Sequence, residues 1–380
     1  MFENEQISLK NTSSDQKKVT LAIDAMGGDK APECIFKAIK ISAKELPNVH
    51  FKIFGNKKKL QSYIDSYPEI KEFSDIIHSE EEIADDEKPS NALRKGRKSS
   101  MYMGINSVHN KDADAVISSG NTGALMAISK ILLQTLPGID RPAIGGFMPS
   151  EKGYITMLDL GANIHCTAEN LFEFAVMGSA FSSIVLNIER PSVGLLNVGS
   201  ERNKGHEVLR SALNLIEESE IDINLHGYIE GDDIHAGTVD VIVCDGFVGN
   251  IALKTAEGTS RLYTKTLKKY LQRSLFGLIG SFIASPTIMK AKRRMNPKNY
   301  NGAMLLGLNG IVIKSHGSTD KQGFANAIKV AYKLVKQDIN ERIEQEMISS
   351  GHVPPHNGFD HEDDVEDKLD DGLDETKLSA

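Results

Sequence analysis

The chain contains no tryptophan in 380 residues and only three cysteines, Cys34, Cys166 and Cys244. An odd number of thiols without CxxC spacing excludes a disulfide framework and leaves no cysteine-based metal site. Cys166 and Cys244 lie at or after strand-like runs, where a nucleophile can sit; a small buried thiol is the commoner fate of such residues. GxGxxG, GxxxxGK[ST], GxSxG and HExxH are all missing, and the histidines do not cluster at ligand spacing. Dinucleotide binding, P-loop nucleotide binding, serine-elbow hydrolysis and zinc-protease chemistry therefore lack their signatures. No metal, no cofactor and no nucleic-acid partner is expected. Nor is there a long apolar run. The longest uncharged stretch, SLFGLIGSFIASPTIM at 274–289, has 16 residues, short of the ~20 needed to span a bilayer.

Charge is missing locally as well. The formal net charge is −8, yet residues 360–380 alone carry ten acids against Lys368 and Lys377, so the rest of the chain is neutral. The stretch after Gly351 reads as a disordered acidic tail over 351–380. The polar start, with no apolar leader segment, reads as a disordered 1–17. Between them lies one folded domain, 18–350. Inside it, residues 258–319 hold no Asp or Glu but eleven bases, Arg293 and Arg294 among them. An acid-free face of this kind suits an anionic membrane surface or an acidic protein. The uncharged 274–289 within it, with Phe282 and Ile283, fits a helical protrusion over 258–300, whose tip either enters a headgroup region or packs in a dimer.

One recipe recurs along the folded part. An apolar, β-branched run ends in a Gly/Ser/Asn/Asp cluster: VTLAIDAMGGD (19–29), AVISSGNTGA (115–124), ITMLDLGAN (155–163), VGLLNVGSE (193–201), VIVCDGFVGN (241–250) and IVIKSHGST (311–319). Runs of this length bounded by turn residues read as buried strands of a parallel sheet. The intervening segments have helical spacing, at 33–46, 57–67, 91–109, 123–136, 167–186 and 206–217, so the pattern is βαβ and the class α/β. Ligands of such sheets bind beyond the carboxyl ends of the strands. Six polar strand ends predict one anion site assembled from much of the chain.

Phosphate needs N–H and hydroxyl donors with some positive charge, best placed at a helix N-terminus. Ser119, Asn121 and Thr122 stand where a strand hands over to a helix, flanked by two glycines. Asp24 and Asp29 bracket Gly27 and Gly28, as turn caps or as groups that position substrate. Lys254, Lys314 and His316 supply cations near other strand ends. Arg94, Arg97 and Lys98 begin a helix against its macrodipole. The set favours positioning and electrostatic stabilisation over covalent or metal catalysis.

Taken together, IDAMGGDKAP (23–32), SSGNTGALMA (118–127), LDLGAN (158–163), GLLNVGSE (194–201), VDVIVCDGFVGNIALKTAEG (239–258) and GAMLLGLNGIVIKSHGSTD (302–320) resemble the phosphate acyltransferase (PlsX) family of bacterial phospholipid synthesis, in order across residues 19–335. His165, Lys98 and Asp232 depart from its usual pattern. The resemblance implies a Rossmann-like three-layer α/β/α sandwich, a homodimer, and transfer of an acyl group from acyl-[acyl carrier protein] to inorganic phosphate. The product would pass to a membrane glycerol-3-phosphate acyltransferase, from a cytoplasmic protein peripherally attached to the inner face of the membrane. On this reading Ser119, Asn121, Thr122, Asn163 and Lys254 bind phosphate, with Lys314 as a further cation. Asp24, Gly27, Gly28 and His316 serve catalysis, the glycines through their N–H groups. Arg293, Arg294, Phe282 and Ile283 meet carrier protein or membrane. An acyl-coenzyme A phosphotransacetylase is the alternative.

Overall fold

The computed structural model describes residues 18–294 and 301–349, so the expected disordered ends, 1–17 and 351–380, lie outside the described residues. The strands are β1 (Val19–Asp24), β2 (Val49–Gly55), β3 (Ser74–His78), β4 (Ala115–Ser118), β5 (Ala143–Ser150), β6 (Gly153–Leu158), β7 (Ser192–Leu196), β8 (Asn224–Ile229), β9 (Val241–Val243), β10 (Ala303–Leu306) and β11 (Ile311–Lys314). Six of them, β1, β4, β6, β7, β9 and β11, are the predicted apolar runs. All eleven form one sheet in the order β3-β2-β1-β4-β11-β10-β5-β6-β9-β7-β8.

The helices are α1 (Glu33–Glu45), α2 (Lys57–Ser66), α3 (Pro89–Lys95), α4 (Ser100–His109), α5 (Thr122–Leu133), α6 (Ala168–Leu186), α7 (Glu207–Glu218) and α8 (Asp233–Ala236). They continue as α9 (Gly246–Leu271), α10 (Leu275–Ile283), α11 (Ser285–Arg294), α12 (Lys321–Lys336) and α13 (Ile339–Ser349). The sheet buries both faces because neighbouring residues of one strand enter different cores. Leu21, Ile23, Ile117 and Ile313 pack with α1, α6, α7, α12 and α13. Ala22, Val116 and Val312 pack with α3, α4 and α5 on the other face, where Met157 and Ile242 also meet α8 and α9. The result is the expected three-layer sandwich.

The predicted helix over 91–109 is two helices, α3 and α4. The chain breaks at Gly96, where a side chain would lie 2.5 Å from the Ala92 carbonyl oxygen, and restarts at Ser99, whose hydroxyl accepts the Tyr102 N–H. A second departure matters more. The sheet is parallel over β3-β2-β1-β4-β11 and again over β6-β9-β7-β8. Three successive antiparallel pairings, β11/β10, β10/β5 and β5/β6, lie between these blocks. Three reversals leave the two blocks running in opposite directions. The carboxyl ends of β1, β4 and β11 thus share one edge, and those of β6, β7 and β9 the other. The predicted single crevice of six strand ends is two groups of three.

Helix α6 is buried almost all round, starts with a Thr167/Asn170 capping box, and ends where Lys333 Nζ donates to the Val185 carbonyl at 2.9 Å and to Asn187 Oδ1 at 2.8 Å. Its Glu173 is 2% exposed and accepts the Asp140 N–H at 3.1 Å. Burial, with Asp140 nearby, pushes the Glu173 carboxyl up to about 8. The folded state therefore keeps a proton that the unfolded chain releases, so stability falls as pH rises from about 4.5 to about 8. Glu173→Gln removes this slope. Its melting temperature, compared with the wild type at pH 5 and pH 9, is expected to improve only at the higher pH.

Candidate active site

At the first edge, the loops after β1, β4 and β11 interlock around Asp24, which is 1% exposed. Asp24 Oδ1 accepts the Ser100 hydroxyl at 2.6 Å and the Met26 and Gly27 N–H groups at 3.2 and 3.3 Å. Oδ2 accepts the Ser118 hydroxyl at 2.6 Å. Both oxygens are thus occupied from within. Asp24 organises the loop, and the Gly27 N–H expected to face an oxyanion points inward to it. Gly28, at φ +95°, takes the left-handed turn that follows; a side chain there would lie 2.6 Å from Ser119 Oγ.

Several expected phosphate ligands have other partners. Ser119 donates its hydroxyl to the Gly27 carbonyl at 2.6 Å. Asn121 caps α5, its Oδ1 accepting the Ala124 N–H at 2.9 Å. Its amide donates to the carbonyls of Ala84, Asp85 and Glu87 at 3.3, 2.9 and 2.9 Å, strapping residues 84–87 against the site. What remains outward at this helix start is the exposed Thr122 hydroxyl and the N–H groups of Thr122 and Gly123, which no helical carbonyl can reach.

Lys314 ends β11 opposite Ser118, the last residue of β4. It donates to its neighbour's carbonyl, Ser315, at 2.6 Å. Burial pushes its ammonium down to about 8, while the charges of Asp24, Asp85 and Asp29 resist that fall. His316 follows. Its Nδ1 accepts the Ser318 N–H at 3.2 Å, so in the neutral ring the proton sits on Nε2. Burial lowers its pKa; Glu257 opposes the change, and Lys314 and Lys254 reinforce it. The sequence offered no sign of Asn301. Buried behind this loop, it accepts the His316 N–H at 2.7 Å and donates to Ser315, Thr319 and the Gly323 carbonyl. Ser100 and Glu257 were equally silent.

Asp159 organises the second edge in the same way. Oδ1 accepts the N–H groups of Ile144, Gly161 and Ala162 at 3.0, 3.1 and 3.1 Å; Oδ2 accepts the Asn163 N–H and amide at 2.7 and 3.0 Å. Asn163 also donates to the Pro142 carbonyl, so its amide is committed and buried. Cys166 lies here too, its thiol pushed up to about 12 by burial and by Asp159 and Asp245. Buried Cys244 is raised well above the usual thiol range for the same reasons. Neither provides a thiolate near neutrality, which removes the cysteine-nucleophile reading.

Helix α9 spans the two groups. Its first residue, Gly246, donates to the Asn163 carbonyl at 2.7 Å, while Lys254 and Glu257 lie within electrostatic reach of His316. Eleven residues of helix from Gly246 to Glu257 cover about 16 Å. Lys254 is itself paired with Glu257 at 3.3 Å. Phe282 and Ile283 are 83% and 74% exposed on α10, and Arg293 and Arg294 end α11. Among the described residues no helix is long and apolar enough to cross a membrane, and no cluster of three or more His, Cys, Asp or Glu residues could hold a metal ion.

This arrangement is an α/β fold with a large, mainly parallel sheet. It is similar to a phosphotransacetylase from Streptococcus pyogenes (TM-score 0.58, 18% identity, covering 85% of this chain and 96% of that one). It is also similar to the EutD phosphotransacetylase from Staphylococcus aureus (0.54, 17%, covering 84% and 94%). At such identity the likeness shows the fold alone. Residues 19–342 match the family described as "Fatty acid synthesis protein". The chain is 50% identical over 328 residues to the phosphate acyltransferase of Paramagnetospirillum magneticum (86% of this chain, 93% of the relative). It is also 50% identical over 331 residues to that of Rhodospirillum centenum (87% and 93%). The chain belongs to this fatty acid synthesis protein family, alongside phosphate acyltransferases.

Replacing Asp24 by Asn keeps the shape but turns one of its two acceptor oxygens into an NH2 donor, while four groups donate to the pair. An unsatisfied buried donor costs about 1–3 kcal/mol. Chemical denaturation of Asp24→Asn is expected to show a loss of about 1–3 kcal/mol.

Proposed function

We propose that this protein transfers a fatty acyl group from acyl-[acyl carrier protein] to inorganic phosphate, giving acyl phosphate for phospholipid synthesis. The observation that carries this reading is the cradle at the first edge, in a chain of the phosphate acyltransferase family. The Thr122 hydroxyl and the free N–H groups at the start of α5 follow β4, and Lys314 ends the strand paired with β4, where no nucleotide motif or reactive thiol competes. In this reading Asn121 and Ser119 shape the cradle, Gly28 completes the turn, Lys254 adds positive charge within reach of His316, and Asn163 belongs to the other edge.

The chemistry is balanced by the nucleophile itself. An unprotonated oxygen of monohydrogen phosphate attacks the thioester carbon; the C–O bond forms and the C–S bond breaks. The phosphate's own proton ends on the departing thiolate, whose parent thiol has a pKa near ~8.5. Neutral His316 lends the Nε2–H as a hydrogen-bond donor to the charge developing on oxygen or sulfur and keeps its proton. Donors of this kind contribute about 100-fold or more each.

The acid-free, base-rich segment supports an acidic carrier protein as donor, with Arg293 and Arg294 at its docking face. Exposed Phe276, Phe282 and Ile283 on α10 support contact with an anionic membrane surface, from the cytoplasmic side, close to a membrane glycerol-3-phosphate acyltransferase. Phe247, Ile251, Leu262 and Tyr263, exposed along α9, support a homodimer. The similarity to phosphotransacetylase folds favours acyl-coenzyme A as a second donor reading, but that reading assigns no purpose to the apolar tip.

Conversion of labelled phosphate to acyl phosphate, with carrier-bound and coenzyme A thioesters compared, tests the assignment. Lys314 must be charged to hold phosphate, so kcat/KM for phosphate is expected to fall as pH rises through about 8. Lys314→Arg should move that fall to higher pH, and Lys314→Met should raise KM for phosphate about tenfold or more. In liposome flotation with anionic vesicles, Phe282→Asp and Ile283→Asp are expected to leave the protein at the bottom of the gradient. Flotation equal to wild type removes the membrane reading.

A further inference from the structure

Of the two acids in the first loop, Asp24 is buried and fully bonded, whereas Asp29 is exposed. Its backbone is fixed, the N–H donating to the Gly317 carbonyl at 3.0 Å. Its carboxylate stands within electrostatic reach of both Lys314 and His316. A side chain added at Gly317 would touch the Ser119 carbonyl oxygen at 3.7 Å and Asp29 Oδ1 at 3.9 Å. Two acceptors therefore stand close together at this point of the loop cluster. A fully deprotonated oxyanion placed there meets lone pairs and a like charge, whereas an anion carrying a proton can donate to them. Near neutral pH, inorganic phosphate and arsenate each keep such a proton. Sulfate, of the same size and shape, keeps none.

We propose that Asp29 is the specificity-determining residue of the cradle: its carboxylate accepts a hydrogen bond from the P–OH of monohydrogen phosphate, so the site admits phosphate and excludes sulfate. This rests on the reading of the same cradle as the phosphate site. The cations Lys314 and the α5 N-terminus attract any oxyanion without distinction. Asp29 supplies the selectivity that they cannot, by repelling the anion that has no proton to share. It also holds the proton on one phosphate oxygen, leaving an unprotonated one to attack. Asp85, on the strap held by Asn121, also lies near Lys314 and is the natural control.

Calorimetric titration of the wild type with phosphate, arsenate and sulfate reads this without any acyl donor. Phosphate and arsenate are expected to bind and sulfate to be excluded. In Asp29→Asn, phosphate affinity should fall about 10- to 100-fold, the worth of a hydrogen bond to a charged group. Sulfate binding should rise at least about tenfold, because the new amide donates to it. Asp29→Glu, which keeps the carboxylate, should still exclude sulfate. A wild type that binds sulfate as well as phosphate overturns the proposal, as does an Asp29→Asn that still excludes sulfate. So does a gain of sulfate binding in Asp85→Asn with none in Asp29→Asn. Failure of the wild type to make acyl phosphate, with anion selectivity intact, would instead overturn the transfer reaction.

Discussion

A carboxylate buried at the carboxyl end of a central strand is costly unless every lone pair finds a donor, and this protein meets that demand twice. Asp24 draws donors from its own loop, from the start of α4 and from the end of β4. Asp159 draws them from its own loop and from β5. Each acid therefore ties separate segments into one rigid corner. The glycines around them follow from the same need. A side chain on Gly27 would lie 2.6 Å from Asp24 Oδ2, and one on Gly246 2.8 Å from Asp159 Oδ2. The Gly-rich loops are small because a carboxylate and its donors occupy the space.

Strand existence was legible wherever burial on both faces forced a continuous apolar run, which is why β1, β4, β6, β7, β9 and β11 stood out. Of the strands that escaped notice, β3 and β8 have mixed exposure and β5 an unusual composition, while β10 is a short, buried apolar run. In β5 (AIGGFMPS), Gly145 and Gly146 make room for the side chains of Leu306 and Leu160, a reason invisible without the neighbouring strands. Missing β5 and β10 also hid the reversal of sheet direction, and with it the division of the strand ends between two edges.

The candidate site was legible in its residue types more than in its directions. Spacing placed Asp24, Ser119, Asn121 and Asn163 on loops that follow strands, as the structure has them. It could not tell whether their polar atoms face a ligand or the protein, and in each case the structure turns them inward. Asn301 and Ser100 carried no local signal because their partners lie 14 and 76 residues away in sequence. The outward groups, Thr122, Lys314, His316 and Asp29, are those whose neighbours leave an atom unspent. At each loop, the group left open to a ligand is whichever polar group the folding network does not consume.

Helix α9 has one further consequence. Its 26 residues extend about 39 Å, and only Gly246 and Gly249 are buried. It begins against Asp159, passes His316 with Glu257, and ends at the exposed α10. A continuous helix resists bending over such a length, so it acts as a strut with its foot in the core and its far end free. Load applied at that end is carried along the backbone towards the loop that holds His316.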